Sequence, residues 1–276
     1  MNFKNLLAAT ASVAILIASG AAHAGEALDR VMSTKVLKIA TSANWAPQSF
    51  LNDKNEMDGF DVDVAKEVAK RLGVSAKFVT PAWDIITAGK WNGRWDISVG
   101  SMTPTKSRSR VLSFPAVYYY TPAVAAVHKD SKVEKISDLN GKKMGACTNC
   151  TFELYLKKDL TIDAAGVPAF EYQINAGELK SYANSSAVFD DLRLGDGTHL
   201  DGLVDSLPTL MKAIENKYPF KIVGKPLFYE PLALAIDKGD KEFNDKLATI
   251  VAEMRKDGTL TALSKKWYKV DYTVAQ

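Results

Sequence analysis

Residues 83–120 read WDIITAGKWNGRWDISVGSMTPTKSRSRVLSFPAVYYY, and this stretch decides the fold. The spacing predicts an amphipathic helix over 85–91 that ends near Gly93. A short apolar strand over 95–99 follows, with Trp95, Ile97 and Val99 on it. A turn of small hydroxyl residues then carries Ser101, Thr103 and Thr105, and Arg108 closes it. Backbone N–H groups, hydroxyls and a fixed guanidinium form a fork of donors that matches the two oxygens of a carboxylate. The turn is therefore a candidate cradle for a small anion or zwitterion.

Toward the N-terminus, residues 36–40 read as a short strand with an exit loop over 41–47. Residues 60–72 have helical periodicity, with Val64, Ala65, Val68, Ala69 and Leu72 on one face. Gly73 stops that helix, Asp61 is expected to cap its start, and 76–79 is the next strand. This β-α-β-α-β order predicts a parallel sheet covered on both faces. Toward the C-terminus, 122–127 is a continuous apolar strand, after which the pattern restarts. A helical turn (136–139) leads to strand 143–146, helix 152–158 and strand 169–172. Helix 186–194, strand 200–204, helix 208–216 and strand 221–223 come next. A second apolar strand at 232–236 mirrors the first crossover, and helices 241–256 and 260–268 end the chain. No strict internal repeat is present. The expectation is two α/β lobes, 25–122 with 232–276 and 123–231. Paired strands at 122–127 and 231–236 form a hinge that allows closure around a ligand.

Composition narrows the function classes. Lys4, the apolar run 6–18 and Ala22-His23-Ala24 form a secretory signal peptide, expected to be cleaved after Ala24. Removing 24 of the 276 residues leaves 252, enough for one large or two mid-sized domains. Removing Lys4 takes the formal charge from +3 to +2. With no basic block and no further long apolar run, nucleic acid and membrane are not expected partners. No G-x-x-x-x-G-K-[ST] occurs, so a nucleotide-driven step would need a separate subunit. No Ser-His-Asp set, paired carboxylates or metal cluster emerges, so no catalytic residue, cofactor or metal is expected.

In order and spacing, the chain carries NWAP (44–47), GFDVDVAK (59–66), WDII (83–86), WDIS (95–98) and MTPTKSR (102–108). LSF (112–114), DLNGKKMG (138–145), HLDGLVD (199–205), YEPLALAI (229–236) and DGTLTALSKKWY (257–268) follow. On these motifs it resembles the periplasmic amino-acid-binding proteins of ABC importers, the family 3 solute-binding proteins, over residues 35–272. The resemblance implies a two-lobed, type II periplasmic-binding-protein fold, with two parallel or mixed sheets joined by a two-strand hinge. It implies a monomeric periplasmic receptor that takes an amino acid into the interlobe cleft and delivers it to ABC permease subunits. Trp45 and Trp83 would sandwich the ligand's side chain. Ser101, Thr103 and Arg108 would hold its α-carboxylate, joined from lobe 2 by Cys150 and Thr151 at a helix start. Asp205 would accept its α-ammonium.

Other residues have plainer readings. Trp91 and Trp95 are expected in the core, Lys106 and Arg110 on the surface, and Asp61 and Asp63 in structural roles. Ser42, where some relatives of basic specificity carry an acid, argues against arginine or lysine as ligand. Gln48, where an aromatic is usual, could reach a polar side chain or face solvent. Cys147 and Cys150 form a C-x-x-C at a strand-to-helix turn, read as a disulfide that stiffens the lobe-2 loop. A thiol–disulfide oxidoreductase is the sharper reading of that motif, and the rest of the chain does not follow it. The enzymatic alternative is a periplasmic dehydratase-like activity on the same fold, with a cleft carboxylate as general acid. The sequence does not fix which amino acid is bound.

Overall fold

The computed structural model describes residues 26–274. The expected signal peptide and its cleavage site lie outside them. Nine strands build a mixed sheet, eight on its main path: β1 (Val36–Ala40), β2 (Ser75–Val79), β3 (Ile97–Met102), β4 (Val117–His128), β5 (Lys143–Cys147), β6 (Glu178–Tyr182), β7 (Gly202–Ser206) and β8 (Phe220–Asp237), with the short strand Leu112–Ser113 pairing with β8 beside it. Their order is β6-β5-β7-β4-β8-β3-β1-β2. β1 runs parallel to β2 and β3, and β5 runs parallel to β6 and β7. Between these two parallel groups, β4 and β8 pair antiparallel with each other and with the inner strand of each group. A small sheet joins Asn44–Trp45, Ser49–Leu51 and Met57–Asp58.

Helices α1 (Glu26–Thr34), α2 (Phe60–Leu72), α3 (Trp83–Thr87), α4 (Thr151–Leu156), α5 (Ser185–Leu192), α6 (Leu207–Glu215), α7 (Lys241–Lys256) and α8 (Thr259–Tyr268) cover the sheet. Val64 and Val68 of α2 meet Leu37, Ile97, Leu234 and Phe243 in one core. The other half has two cores, one on each sheet face. Ala123, Ala125 and Val127 of β4 join Phe152 and Tyr155 of α4. Val124 and Ala126 join Val188 of α5 and Leu210 of α6. Strand residues alternate between faces, and burial of both faces explains the continuous apolar run. β4 and β8 also contribute Tyr118, Tyr119, Leu232 and Leu234 to the first core, so both strands pass through both halves.

Several expectations change. The helix predicted over 85–91 stops at Thr87, because Gly89, Lys90 and Asn92 all take positive φ. Trp91 and Trp95 are buried as expected, and the Trp91 indole donates to the Ile86 carbonyl at 2.8 Å. The strand predicted over 169–172 does not form. Phe170 and Tyr172 instead pack with Tyr155, and Phe170 also packs with Phe228. The edge strand is β6, in a stretch for which no element is predicted. The segments 221–223 and 232–236 are one strand, β8, irregular between Val223 and Phe228. Helix α1, with Leu28 and Val31 buried, lies before the first element predicted after the signal peptide.

Asp61 does not cap α2. The N-cap is Gly59, and the Pro47 and Gln48 carbonyls accept from Phe60 N–H and Asp61 N–H at 3.1 and 2.9 Å. The loop that carries Trp45 is thereby fixed to the start of α2. Gly59 has φ +125°, and a Cβ there would lie 2.3 Å from the Gln48 carbonyl oxygen. Gly59→Ala is expected to cost about 1–3 kcal/mol from backbone conformation alone, with more from the clash. A lowered urea midpoint at unchanged m-value is the measurement that checks it.

Candidate functional site

A cavity of about 530 Å³ lies between the halves, in the range of small-molecule sites. One wall holds Trp45, Trp83, Ser101, Thr103 and Arg108. The other is the β5–α4 turn through Cys150 and Thr151, and Glu230 of β8 borders the same space. Seven of the eight residues expected at a site thus meet around one cavity. The eighth, Asp205, does not line it. Asp205 is buried, accepts from Ser206 N–H at 2.7 Å, and sits behind Ser185 and Trp45.

Arg108 is 5% exposed. Its Nη1 donates to the Thr103 carbonyl at 2.9 Å and its Nη2 to the Asn149 carbonyl at 2.7 Å. A guanidinium has five N–H donors, so three remain without a protein acceptor among the described residues. Its plane lies over Trp83, 5.2 Å from the ring centroid. Burial lowers its pKa to about 10, with the Glu230 charge opposing, so it stays cationic at neutral pH.

The Cys147–Cys150 disulfide forms, with Cα atoms 5.5 Å apart. Within its loop Asn149 has φ +58° and donates its N–H to Glu153 Oε2 at 2.8 Å. Its carbonyl accepts from both Arg108 and, at 3.3 Å, the Trp83 indole. Other bonds tie the walls together. Lys106 N–H donates to the Thr161 carbonyl at 3.1 Å, and Asp163 N–H donates to the Pro104 carbonyl at 2.9 Å. Gln48 does not face solvent. It is fully buried, and its Nε2 donates to Thr209 Oγ1 of α6 at 3.0 Å.

The hydroxyls do not form the cradle that their spacing suggests. Ser101 has φ +52°, and its side chain turns into the interior. There it donates to Asp61 Oδ2 at 2.7 Å and contacts the Tyr119 hydroxyl. Tyr118 donates to Asp61 Oδ1 at 2.6 Å, so both oxygens of this buried carboxylate are satisfied. Thr103 Oγ1 donates to Glu230 Oε1 at 2.9 Å, and Thr151 Oγ1 donates to the same oxygen through a short bond. Glu230 and the Asn149 carbonyl are the participants that sequence reasoning missed. A signal for Glu230 existed, since it is the one charged residue in the run 226–236 and a buried charge needs partners.

A family model for bacterial extracellular solute-binding proteins, family 3, matches residues 37–270. The L-cystine-binding protein TcyJ of Escherichia coli is 27% identical over 249 residues, 89% of this chain and 87% of its own. A solved ancestral arginine-binding protein bound to glutamine is 30% identical with a TM-score of 0.72, covering 85% of this chain and 98% of that one. The ancestral amino acid-binding protein AncCDT-1, a precursor of cyclohexadienyl dehydratase, is 28% identical with a TM-score of 0.74. That match covers 87% of this chain and 99% of the other. The type II periplasmic-binding-protein fold is shared with these structures, and among the described residues no helix is long and apolar enough to cross a membrane.

Three buried carboxyls set the pH response. Burial raises Asp61, Asp205 and Glu230 to about 7, and their hydrogen bonds offset only part of that rise. A group with a raised carboxyl pKa binds more protons folded than unfolded, so stability falls as pH climbs from about 4 to about 7. The unliganded protein is therefore expected to melt at a higher temperature at pH 5 than at pH 8. Asp61→Asn should flatten part of that slope in calorimetric scans across the range.

Proposed function

The chain belongs to the bacterial extracellular solute-binding proteins of family 3, and we propose that it binds an amino acid or close derivative and delivers it to ABC permease subunits. It works in this reading as a periplasmic monomer, after signal-peptide cleavage behind Ala24. Its lobes are 25–122 with 232–276 and 123–231, hinged where β4 and β8 cross. The separate cores on either side of that crossing support the division.

The observation that carries the reading is Arg108, a buried cation with unused donors beside a cavity walled by two indoles. The guanidinium receives the ligand's carboxylate, and the backbone N–H groups that open α4 add to it from lobe 2. Trp45 and Trp83 flank the ligand's side chain. Asp205, behind Ser185, supplies negative charge for the ammonium. Bonds made only when the lobes meet give the ligand its preference for the closed form.

A second reading is favoured by one observation. Glu230 is a buried acid with a pKa raised to about 7 beside Arg108, a suitable arrangement for a general acid. The likeness to AncCDT-1, a dehydratase precursor, makes a dehydratase-like activity the alternative.

Thermal shift of the refolded, ligand-stripped protein against the twenty L-amino acids and L-cystine separates the two. A ligand at 100 times its Kd is expected to add about 2.7 kcal/mol, a rise of a few degrees for a chain of this size. Arg108→Ala should weaken that ligand roughly 10- to 150-fold, the loss of charge-assisted bonds. No shift with any amino acid, together with turnover of a cyclohexadienyl substrate, would replace the receptor with the enzyme.

A further inference from the structure

Strand β3 does not run straight into the site. It pairs Ser98 with Ala235 and Met102 with Ala233, so residues 99–101 lie opposite Leu234 alone. The surplus forms a bulge, and bulges beside binding sites re-aim the chain. Ser101, within it, has φ +52°, an angle that a non-glycine residue keeps only where its surroundings impose it. Those surroundings are a closed ring of hydrogen bonds. Ser101 Oγ donates to Asp61 Oδ2 at 2.7 Å, and Tyr118 Oη donates to Asp61 Oδ1 at 2.6 Å. The Ser101 N–H donates to that same Tyr118 hydroxyl at 3.0 Å. The serine's one proton goes to Asp61, so the Tyr119 hydroxyl donates to Ser101 Oγ. Asp61, Tyr118 and Tyr119 are all 0% exposed, so these bonds are shielded from solvent.

Ser101 borders the cavity, yet its hydroxyl is committed to the core. What it turns toward the cavity is its main chain. Two residues on, the Thr103 carbonyl accepts from Arg108 Nη1 at 2.9 Å. Asp61 also gives its backbone N–H to the Gln48 carbonyl, in the loop that carries Trp45. One residue of α2 thus joins the bulge, the strand that enters the hinge and the loop of the first indole. We infer that Asp61 is a positioning residue for the ligand site: through Ser101 it holds the β3 bulge, so that the main chain of 101–103 faces the cavity and aims Arg108. The inference rests on the amino-acid-receptor reading and adds to it a buried residue that touches no ligand. A chain released from the bulge must return to it before ligand is held, and apparent affinity falls with the fraction of molecules still competent.

Ser101→Ala and Ser101→Gly make the test, because both remove the hydroxyl and only glycine takes positive φ freely. By calorimetric titration with an amino acid that binds wild type, Ser101→Ala is expected to weaken binding about 5- to 30-fold and Ser101→Gly less than about threefold. Asp61→Asn should cost about tenfold in the wild-type background and less than about twofold on top of Ser101→Gly, where the angle no longer needs holding. Crystal structures of Asp61→Asn and Ser101→Gly read the geometry without ligand. The first is expected to lose the left-handed angle at 101 and the Arg108–Thr103 contact, and the second to keep both. Equal losses for the alanine and glycine variants, or an Asp61→Asn loss of the same size in both backgrounds, would make the ring a fold element only and overturn the inference. So would an intact bulge in Asp61→Asn. If no amino acid binds wild type, the receptor reading fails, and the two structures still decide whether Asp61 holds the bulge.

Discussion

The pairing of β4 with β8 is the constraint on which the rest of the molecule depends. These strands are the path by which the chain leaves one half and returns to it, and they hydrogen-bond along both. Near the crossing, Tyr120 faces Pro231, Thr121 faces Glu230 and Pro122 faces Tyr229. Proline donates no N–H, so two prolines on opposite strands thin the ladder at the point where it must bend. Both ends of the pair are anchored in apolar cores, and Glu230 lies between them. A joint of this kind lets two stiff bodies move without either being unfolded.

Closure across that joint uses backbone acceptors more than charge pairs. The Asn149 carbonyl, aimed by a positive φ inside a four-residue disulfide loop, receives both the Arg108 guanidinium and the Trp83 indole. Backbone carbonyls on a cross-linked turn lose little freedom on accepting these bonds, whereas a long acidic side chain would have to be ordered. A formal ion pair would also neutralise Arg108. A neutral acceptor positions the guanidinium and leaves its charge available.

The parts of the fold legible in the sequence are those set by local periodicity. The α2 reading coincides with the helix because Val64, Val68 and Leu72 share a face and Gly73 takes the left-handed cap. The α7 span coincides for the same reason. Legibility failed where tertiary contacts outweigh local preference. Phe170 and Tyr172 have strand-like chemistry, yet they are drawn into the aromatic cluster around Tyr155, and the edge position falls to the more polar β6. At the site, residue types and spacing identified who meets at the cavity. They did not fix which way a hydroxyl points. Ser101 turns inward because of its backbone angle, and Thr103 turns toward a residue 127 positions away.

The three buried carboxylates differ in what surrounds them, and that difference separates framework from function. Asp61 has a donor on each oxygen and lies in the core beneath Tyr118 and Tyr119, so its environment is complete. Glu230 has two donors on one oxygen and none on the other. A protein that needed Glu230 only to hold two hydroxyls could use a neutral amide with less desolvation cost. The acid lies beside the Arg108 cation, whose charge offsets part of the burial cost, and it borders the cavity.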